Sequence, residues 1–438
     1  MSPSTSRTTA EGEKSTQRTF LFLQGPSSYL FARIAENFEK LGHRCIRINL
    51  CMGDWVFWRR PGALNYRGRL DNWQAFVASI MDREGVTDLI LLGEERPHHV
   101  AAVAAARERG IPVFAVEMGY LRPDWIRIEK GGSGFNSHFP TDPETILRAA
   151  ADLPEPDFQQ RFSHTFWTDA LYDLMFNLPN VFLWFFYPHY RWHAVFHPLA
   201  EYAGWIGRLV RSRGQVRRTL KITNRMELRG RPFFIFPLQL ETDYQIRAYS
   251  TFRSQREAID MVIESFADNA DKNAHLLIKV HPLDNNLINW KRYIRNRARA
   301  RKLGKRVHFV DGGNLTKMIE HSQGVLTINS TAGIVALQYG RPIKVLGIAI
   351  YDIPGLTTSI SLDRFWREAT VPDPHLVDAF IRLVAAALHV RGNFYSEAGV
   401  NAAAAAIAQR VLDGTVNEPG GFVATPQRAR PQAVRSYQ

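Results

Sequence analysis

The first regular signal along the chain is an apolar run, Phe20-Leu21-Phe22-Leu23, broken at Gln24-Gly25-Pro26 and followed by a helical pattern from about Tyr29 to Leu41. Gly42-His43 ends that helix, and Arg44 to Leu50 alternates as a second strand. A helix-like stretch (Trp73 to Glu84), an apolar strand (Asp88 to Leu92), an Ala-rich helix (His99 to Arg109) and another strand (Pro112 to Val116) continue the rhythm. Strands separated by helices of this length predict a parallel sheet covered on both faces.

The rhythm stops after Glu117. Residues from about 140 to 230 are rich in Trp, Phe, Tyr and His and then in Arg. Regularity returns with a strand from Pro232 to Pro237, a helix from Ser254 to Asn269, a strand from His275 to Val280 and a basic helix from Asn289 to Leu303. Strands at Val307 to Val310 and Gly324 to Ile328, a helix from Thr331 to Tyr339 and a strand from Pro342 to Leu346 complete a second unit, and Pro374 to Leu412 reads as final helices. The predicted fold class is α/β, with two Rossmann-like lobes, a central cleft and a helical aromatic and basic insertion. The expected divisions are a disordered tail over 1–18, a first lobe over 19–145, the insertion over 146–230, a second lobe over 231–375, helices over 376–413 and a disordered tail over 414–438.

Composition narrows the class. The 438 residues are 45% apolar and 22% charged, which excludes a disordered or collagen-like chain. No apolar stretch approaches the length of a spanning helix, and the start of the chain lacks the apolar core of a secretory signal. Cys45 and Cys51 are the only cysteines, so a disulfide framework or Cys-rich metal site is excluded and a reducing compartment is expected. Both read as small core hydrophobes. The net charge of +13 calls for an anionic partner: nucleic acid, nucleotide or membrane.

Four motifs leave strand ends, where ligands of open α/β sheets bind. Lys279-Val280-His281-Pro282-Leu283-Asp284 places His281 to contact a phosphate, against an even chance of a histidine satisfied by backbone groups. Ile328-Asn329-Ser330-Thr331-Ala332-Gly333 offers hydroxyls and backbone N–H groups to a phosphate, although an ordinary helix cap explains it as well. Pro237-Leu238-Gln239-Leu240-Glu241-Thr242-Asp243 and Glu117-Met118-Gly119-Tyr120-Leu121-Arg122-Pro123-Asp124-Trp125 carry acids from opposite lobes toward the cleft. Such a converging carboxyl pair suits glycosyl transfer with retention, one as nucleophile and one as acid/base. Gln24-Gly25-Pro26-Ser27-Ser28 fits neither a dinucleotide-binding fingerprint nor a P-loop. Met52-Gly53-Asp54-Trp55-Val56-Phe57-Trp58 would line an acceptor groove or pad the surface.

Two stretches, Arg208 to Arg231 and Lys291 to Arg306, each hold nine Lys+Arg and together a single acid, more than the whole chain's net charge. The first follows Val181-Phe182-Leu183-Trp184-Phe185-Phe186-Tyr187, the composition of a membrane-surface segment. Nucleic acid is the competing partner for that charge and is disfavoured because no RNA-binding signature appears.

Phe22-Leu23-Gln24-Gly25-Pro26, Ile48-Asn49-Leu50, Gly53-Asp54-Trp55, Glu117 to Trp125, Pro237-Leu238-Gln239, Val280-His281-Pro282 and Asn329 to Gly333 together resemble the KpsS family of capsular polysaccharide export proteins of Gram-negative bacteria. The resemblance spans roughly residues 19 to 375. It implies a retaining glycosyltransferase of the GT-B type that moves Kdo from CMP-β-Kdo to a phosphatidylglycerol-type lipid, starting the poly-Kdo linker of the capsule. The implied location is cytoplasmic, peripheral at the inner face of the inner membrane, with capsule synthesis and export proteins as partners. The implied roles are Glu117 as acid/base, Asp243 as nucleophile with Glu241 as its rival, and His281, Ser330 and Thr331 at the CMP phosphate. Arg122 and Gln239 would contact the sugar carboxylate or the nucleotide, and Gln24 would add to substrate binding. No metal or other cofactor is implied. Met118 stands where related enzymes often carry a second acid, which leaves Asp124 in reserve. The competing readings are a nucleotide-sugar epimerase and a non-catalytic capsule adaptor.

Overall fold

A computed structural model describes residues 17–192, 196–228, 230–242, 246 and 249–419. In the first lobe, β1 (Thr19–Phe22), β2 (Arg44–Asn49), β3 (Leu64–Asn65), β4 (Asp88–Leu92) and β5 (Val113–Met118) run parallel. β6 (Trp125–Lys130) turns back antiparallel against β5, and β12 (His389–Arg391) lies antiparallel to β6, giving the order β12-β6-β5-β4-β1-β2-β3. The second lobe holds β7 (Phe233–Pro237), β8 (His275–Lys279), β9 (Val307–Val310), β10 (Gly324–Thr327) and β11 (Ile343–Val345), all parallel in the order β11-β10-β7-β8-β9. The predicted α/β class with parallel sheets is therefore the class observed. The antiparallel margin of β6 and β12 was not anticipated.

The helix Leu30–Lys40 shows why the pattern predicted the elements well. Leu30, Ile34 and Phe38 recur at four-residue spacing, are buried, and cover Phe20 and Phe22 of β1. The Phe20 and Phe38 rings stack at 3.8 Å. The helix Glu397–Leu412 brings Val400, Ala404 and Ile407 to this same core, so the end of the chain packs on the first lobe. Packing continues past Gly414, the expected start of a tail: Val416 and Asn417 are buried, and the Asn417 amide exchanges hydrogen bonds with the Lys130 backbone at 2.8 and 3.0 Å. At the other end Arg18, expected in the leading tail, donates to Asp88 at 2.9 Å.

Residues of the insertion touch both lobes. In the helix Phe166–Phe182, Asn180 accepts the Gly53 N–H at 2.9 Å, beside β2. The helix Pro198–Leu228 reaches the second lobe, where Arg208 pairs with Asp311 at 2.7 Å beyond β9. Trp167, Phe182, Trp184, Phe185 and Ile206 are each more than half exposed, an apolar surface that a soluble protein seldom leaves open. Among the described residues no helix is long and apolar enough to cross a membrane.

Candidate functional site

Because β1, β2, β4 and β5 are parallel, the residues just beyond them gather at one edge of the first lobe. Gln24 follows β1, Cys51 and Asp54 follow β2, Glu94 and Arg96 follow β4, and Glu117 closes β5. Glu117 stands directly across from Arg127 of β6 and forms an ion pair with it. Arg127 also meets Glu129 at 3.3 Å and lies 4.2 Å from the centre of the Tyr120 ring. Gly93 allows this geometry: it adopts φ +60°, and a Cβ there would sit 2.5 Å from Glu117 Oε1.

Glu94 is buried beside this pair. Its Oε1 accepts the Ser133 N–H at 2.9 Å and the Asn136 Nδ2–H at 2.7 Å, while Oε2 has no hydrogen-bond partner among the described residues. Burial pushes its pKa up to about 7, outweighing those two hydrogen bonds. The second lobe meets the acids here through Tyr249. Its ring packs against Gly134, where a Cβ would lie 2.7 Å away, and its phenol feels the charges of Glu94, Glu95, Glu117 and Arg127.

At the edge of the second lobe, His281 follows β8. Its Nδ1 accepts the Leu283 N–H at 3.0 Å, which assigns the ring proton to Nε2 and leaves that atom a donor. Burial, with Lys279 and Arg208 nearby, lowers its pKa to about 4, so the ring is neutral at pH 7. Arg208 donates to the His281 carbonyl at 3.1 Å, and a cavity of about 320 Å³ lined by Arg208, Lys291 and Asp311 opens beyond β8 and β9.

Most of the other sequence-predicted residues contact neighbouring protein groups. Gln239 is buried; its Nε2 donates to Asn329 Oδ1 at 2.8 Å, so its amide joins the ends of β7 and β10. Ser330 Oγ accepts the Ala332 N–H at 3.2 Å, and Thr331, half-buried, precedes the helix Ala332–Gln338 without a side-chain cap. The Ser330 contact is a local turn two residues long, so the ordinary Ser/Thr helix cap that the sequence also allowed is not formed. Gln24 is buried and accepts Arg96 Nη1–H at 2.8 Å while donating to Tyr190 Oη at 3.1 Å. Arg122 is exposed, with its charge felt at His389. Asp124, the reserve acid, accepts the Arg161 and Phe162 N–H groups on Oδ2 at 2.7 and 2.8 Å and so ties down the segment that follows the first lobe. Asp243 lies outside the described residues. Its rival Glu241 accepts the Gln255 N–H at 3.1 Å at the start of the helix Gln255–Asn269. Asp54, expected to line a groove or pad the surface, is instead buried against Arg47 at 2.9 Å.

The sequence reading passed over Glu94, Arg96, Arg127 and Tyr249. Glu94 and Arg96 carried a usable signal, since Gly93-Glu94-Glu95-Arg96-Pro97 leaves an apolar strand just as the His281 segment does. Arg127 and Tyr249 reach the site only through the β5–β6 turn and the lobe contact, and no local pattern announces either.

Glu94 gives a first test. A carboxyl whose pKa is raised on folding keeps its proton in the native state while the unfolded chain releases it near 4.5, so stability falls as pH rises from about 4.5 to about 7 and is level above. Melting of the wild type relative to Glu94→Gln is expected to decline across that window. Parallel curves would show that Glu94 is not held protonated.

The family model for capsule polysaccharide biosynthesis proteins matches residues 87–395. The capsule polysaccharide export protein KpsS of Escherichia coli is 31% identical over 377 residues, 83% of this chain and 93% of its own. The capsule polysaccharide modification protein LipB of Neisseria meningitidis serogroup B is 30% identical over 391 residues, 86% of this chain and 91% of its own. Among solved structures, Thermosulfurimonas dismutans KpsC, a beta Kdo 2,7 transferase, covers 91% of this chain and 99% of its own at 14% identity, with a TM-score of 0.43.

Proposed function

Since the chain belongs to the capsule polysaccharide biosynthesis family, we propose that it is a retaining glycosyltransferase that moves Kdo from CMP-β-Kdo to a phosphatidylglycerol-type lipid and so starts the poly-Kdo linker. The observation that carries the proposal is the meeting of Glu117, Glu94 and Arg127 with Tyr249 of the opposite lobe, at the carboxyl ends of the strands. A sugar held there has a carboxylate at hand, and a donor phosphate bound by the second lobe has the neutral Nε2–H of His281 as a fixed hydrogen-bond donor.

Asp243 would attack the anomeric carbon as CMP leaves, and the acceptor hydroxyl, giving its proton to Glu117, would then displace Asp243 from that carbon and release its carboxylate. Glu241 is occupied at a helix start, which favours Asp243 of the two. Ser330, Thr331 and His281 would stabilise the departing phosphate; a single phosphate needs no metal for this when such donors are fixed in place. Arg122, Gln239 and Gln24 complete the proposed binding set, the two glutamines chiefly by holding neighbours in position. The reaction is tested by incubating the protein with CMP-Kdo generated in situ and a fluorescent phosphatidylglycerol analogue. A product heavier by Kdo supports transfer; altered free donor with no lipid product would mark an epimerase instead. CMP binding without turnover would mark an adaptor.

The exposed aromatic surface supports a peripheral position at the cytoplasmic face of the inner membrane, where capsule synthesis and export proteins would also be met. Phe185 and Phe186 are each more than two-fifths exposed with rings 4.8 Å apart, and the basic residues Arg217, Arg218 and Lys221 are exposed on the neighbouring helix. Each basic residue near anionic lipid adds about 1 kcal/mol, and burial of the rings adds to it. Sedimentation is expected with phosphatidylglycerol vesicles and not with neutral ones. Phe185→Ala/Phe186→Ala should lower the partition about tenfold, ~1.4 kcal/mol. Equal sedimentation with both vesicle types would remove the anionic surface from the proposal, and sedimentation with neither would remove the membrane.

A further inference from the structure

Three arginines stand at the strand-end edge of the first lobe, and two of them are neutralised within the protein. Arg47 pairs with Asp54 at 2.9 Å, and Arg127 pairs with Glu117 and Glu129. Arg96 has no carboxylate oxygen within 4.0 Å among the described residues. One of its N–H groups, on Nη1, donates to the neutral Gln24 Oε1 at 2.8 Å, and Gln24 is anchored from behind by Tyr190. Arg96 also begins the helix Pro97–Glu108, where its carbonyl accepts the Val100 N–H at 2.9 Å. Backbone and guanidinium are thus both fixed. Asp54, Glu117 and Tyr190 reach it only through longer electrostatic attraction, and burial draws its pKa below the ordinary arginine value.

A guanidinium has five N–H donors in a planar fork that matches the oxygens of a carboxylate or phosphate. The side chain is only half-buried, and its remaining donors are open to solvent rather than sealed in the protein, so an incoming anion can reach them without displacing a protein partner. We propose that Arg96 is a binding residue for an anionic group of the substrate, whose oxygens take the unused donors of its fork beside Glu117. The inference rests on the transferase reading above, in which two substrates carry such a group: the carboxylate of the sugar acid and the phosphate of the lipid headgroup. Arg96 in either role would be specificity-determining, since a neutral sugar or neutral lipid would leave its charge uncompensated.

The test uses the full chain as wild type, Arg96→Gln and Arg96→Lys. Transfer kinetics are measured with CMP-Kdo and the phosphatidylglycerol analogue varied separately, and calorimetry measures binding of free Kdo and of glycerol phosphate. Arg96→Gln is expected to raise KM for one substrate at least about 30-fold, on the scale of losing a partly buried charge-assisted contact. Donor KM and Kdo binding moving together assign the carboxylate; acceptor KM and glycerol phosphate binding moving together assign the phosphate. Arg96→Lys keeps the charge but not the fork, and should shift the same parameter about fivefold; it carries the test if Arg96→Gln does not fold. A wild type that transfers sugar, with both KM values unmoved in the folded variants, overturns the inference and leaves the transferase standing. A wild type that makes no lipid product but binds Kdo or glycerol phosphate through Arg96 overturns the transferase and leaves the anion site. Absence of turnover and of Arg96-dependent binding overturns both.

Discussion

Glu117→Gln is expected to lower kcat/KM for sugar transfer about 10³-fold, within the usual range for loss of a positioned acid/base, while the melting midpoint moves by only a few degrees. The separation of the two effects follows from the geometry around Arg127. Glutamine has nearly the shape of glutamate, so it fits above Gly93 and its amide oxygen can still accept from the guanidinium. Arg127 keeps Glu129 at 3.3 Å and the Tyr120 ring, so no buried charge is stranded. If the Glu117–Arg127 pair served only to join β5 to β6, the variant would keep its rate along with most of its stability. Kinetics and thermal melting of the one variant therefore separate a chemical role from a structural one. A Glu117→Gln protein with full turnover would end the proposed mechanism.

What the sequence disclosed, and what it hid, divides along the range of the interactions. β1, β4 and β8 announced themselves because each is a short apolar run ended by a glycine or a polar residue, and the observed bounds differ from the expected ones by a residue or less at either end. His281 was legible for the same reason: the end of a buried parallel strand has only one side on which to place a ligand. β6 was not legible. Within its sequence, Trp125-Ile126-Arg127-Ile128-Glu129-Lys130, the central four residues alternate apolar and charged and so resemble a strand with a wet face, yet Arg127 and Glu129 are buried. Their charges are satisfied by each other and by Glu117, across a turn that local pattern does not reveal. Tyr249 is harder still, since it joins the site only where the two lobes touch.

Asp54→Ala should destabilise the fold by about 3–5 kcal/mol, the cost of leaving a buried guanidinium without its anion. Arg47 and Asp54 are each no more than 3% exposed, so solvent cannot take over the lost contact. Asp54 also accepts the Leu50 N–H at 2.9 Å, at the entrance to the helix Met52–Trp58, and Gln24 Nε2 approaches it at 3.5 Å. Through Gln24 the pair is linked to Arg96, so Asp54 has two separable duties: neutralising Arg47 and setting the position of Gln24. Removing both charges in Arg47→Met/Asp54→Leu distinguishes them. An apolar pair of similar volume avoids the stranded cation and should regain most of the stability lost in Asp54→Ala. It cannot hold Gln24, so transfer should remain at least about tenfold below the wild type even where the melting midpoint recovers. Full recovery of rate along with stability would reduce the pair to a structural element and detach Gln24 from the proposed site. A double variant no more stable than Asp54→Ala would show instead that the Leu50 contact, not the arginine charge, dominates the cost.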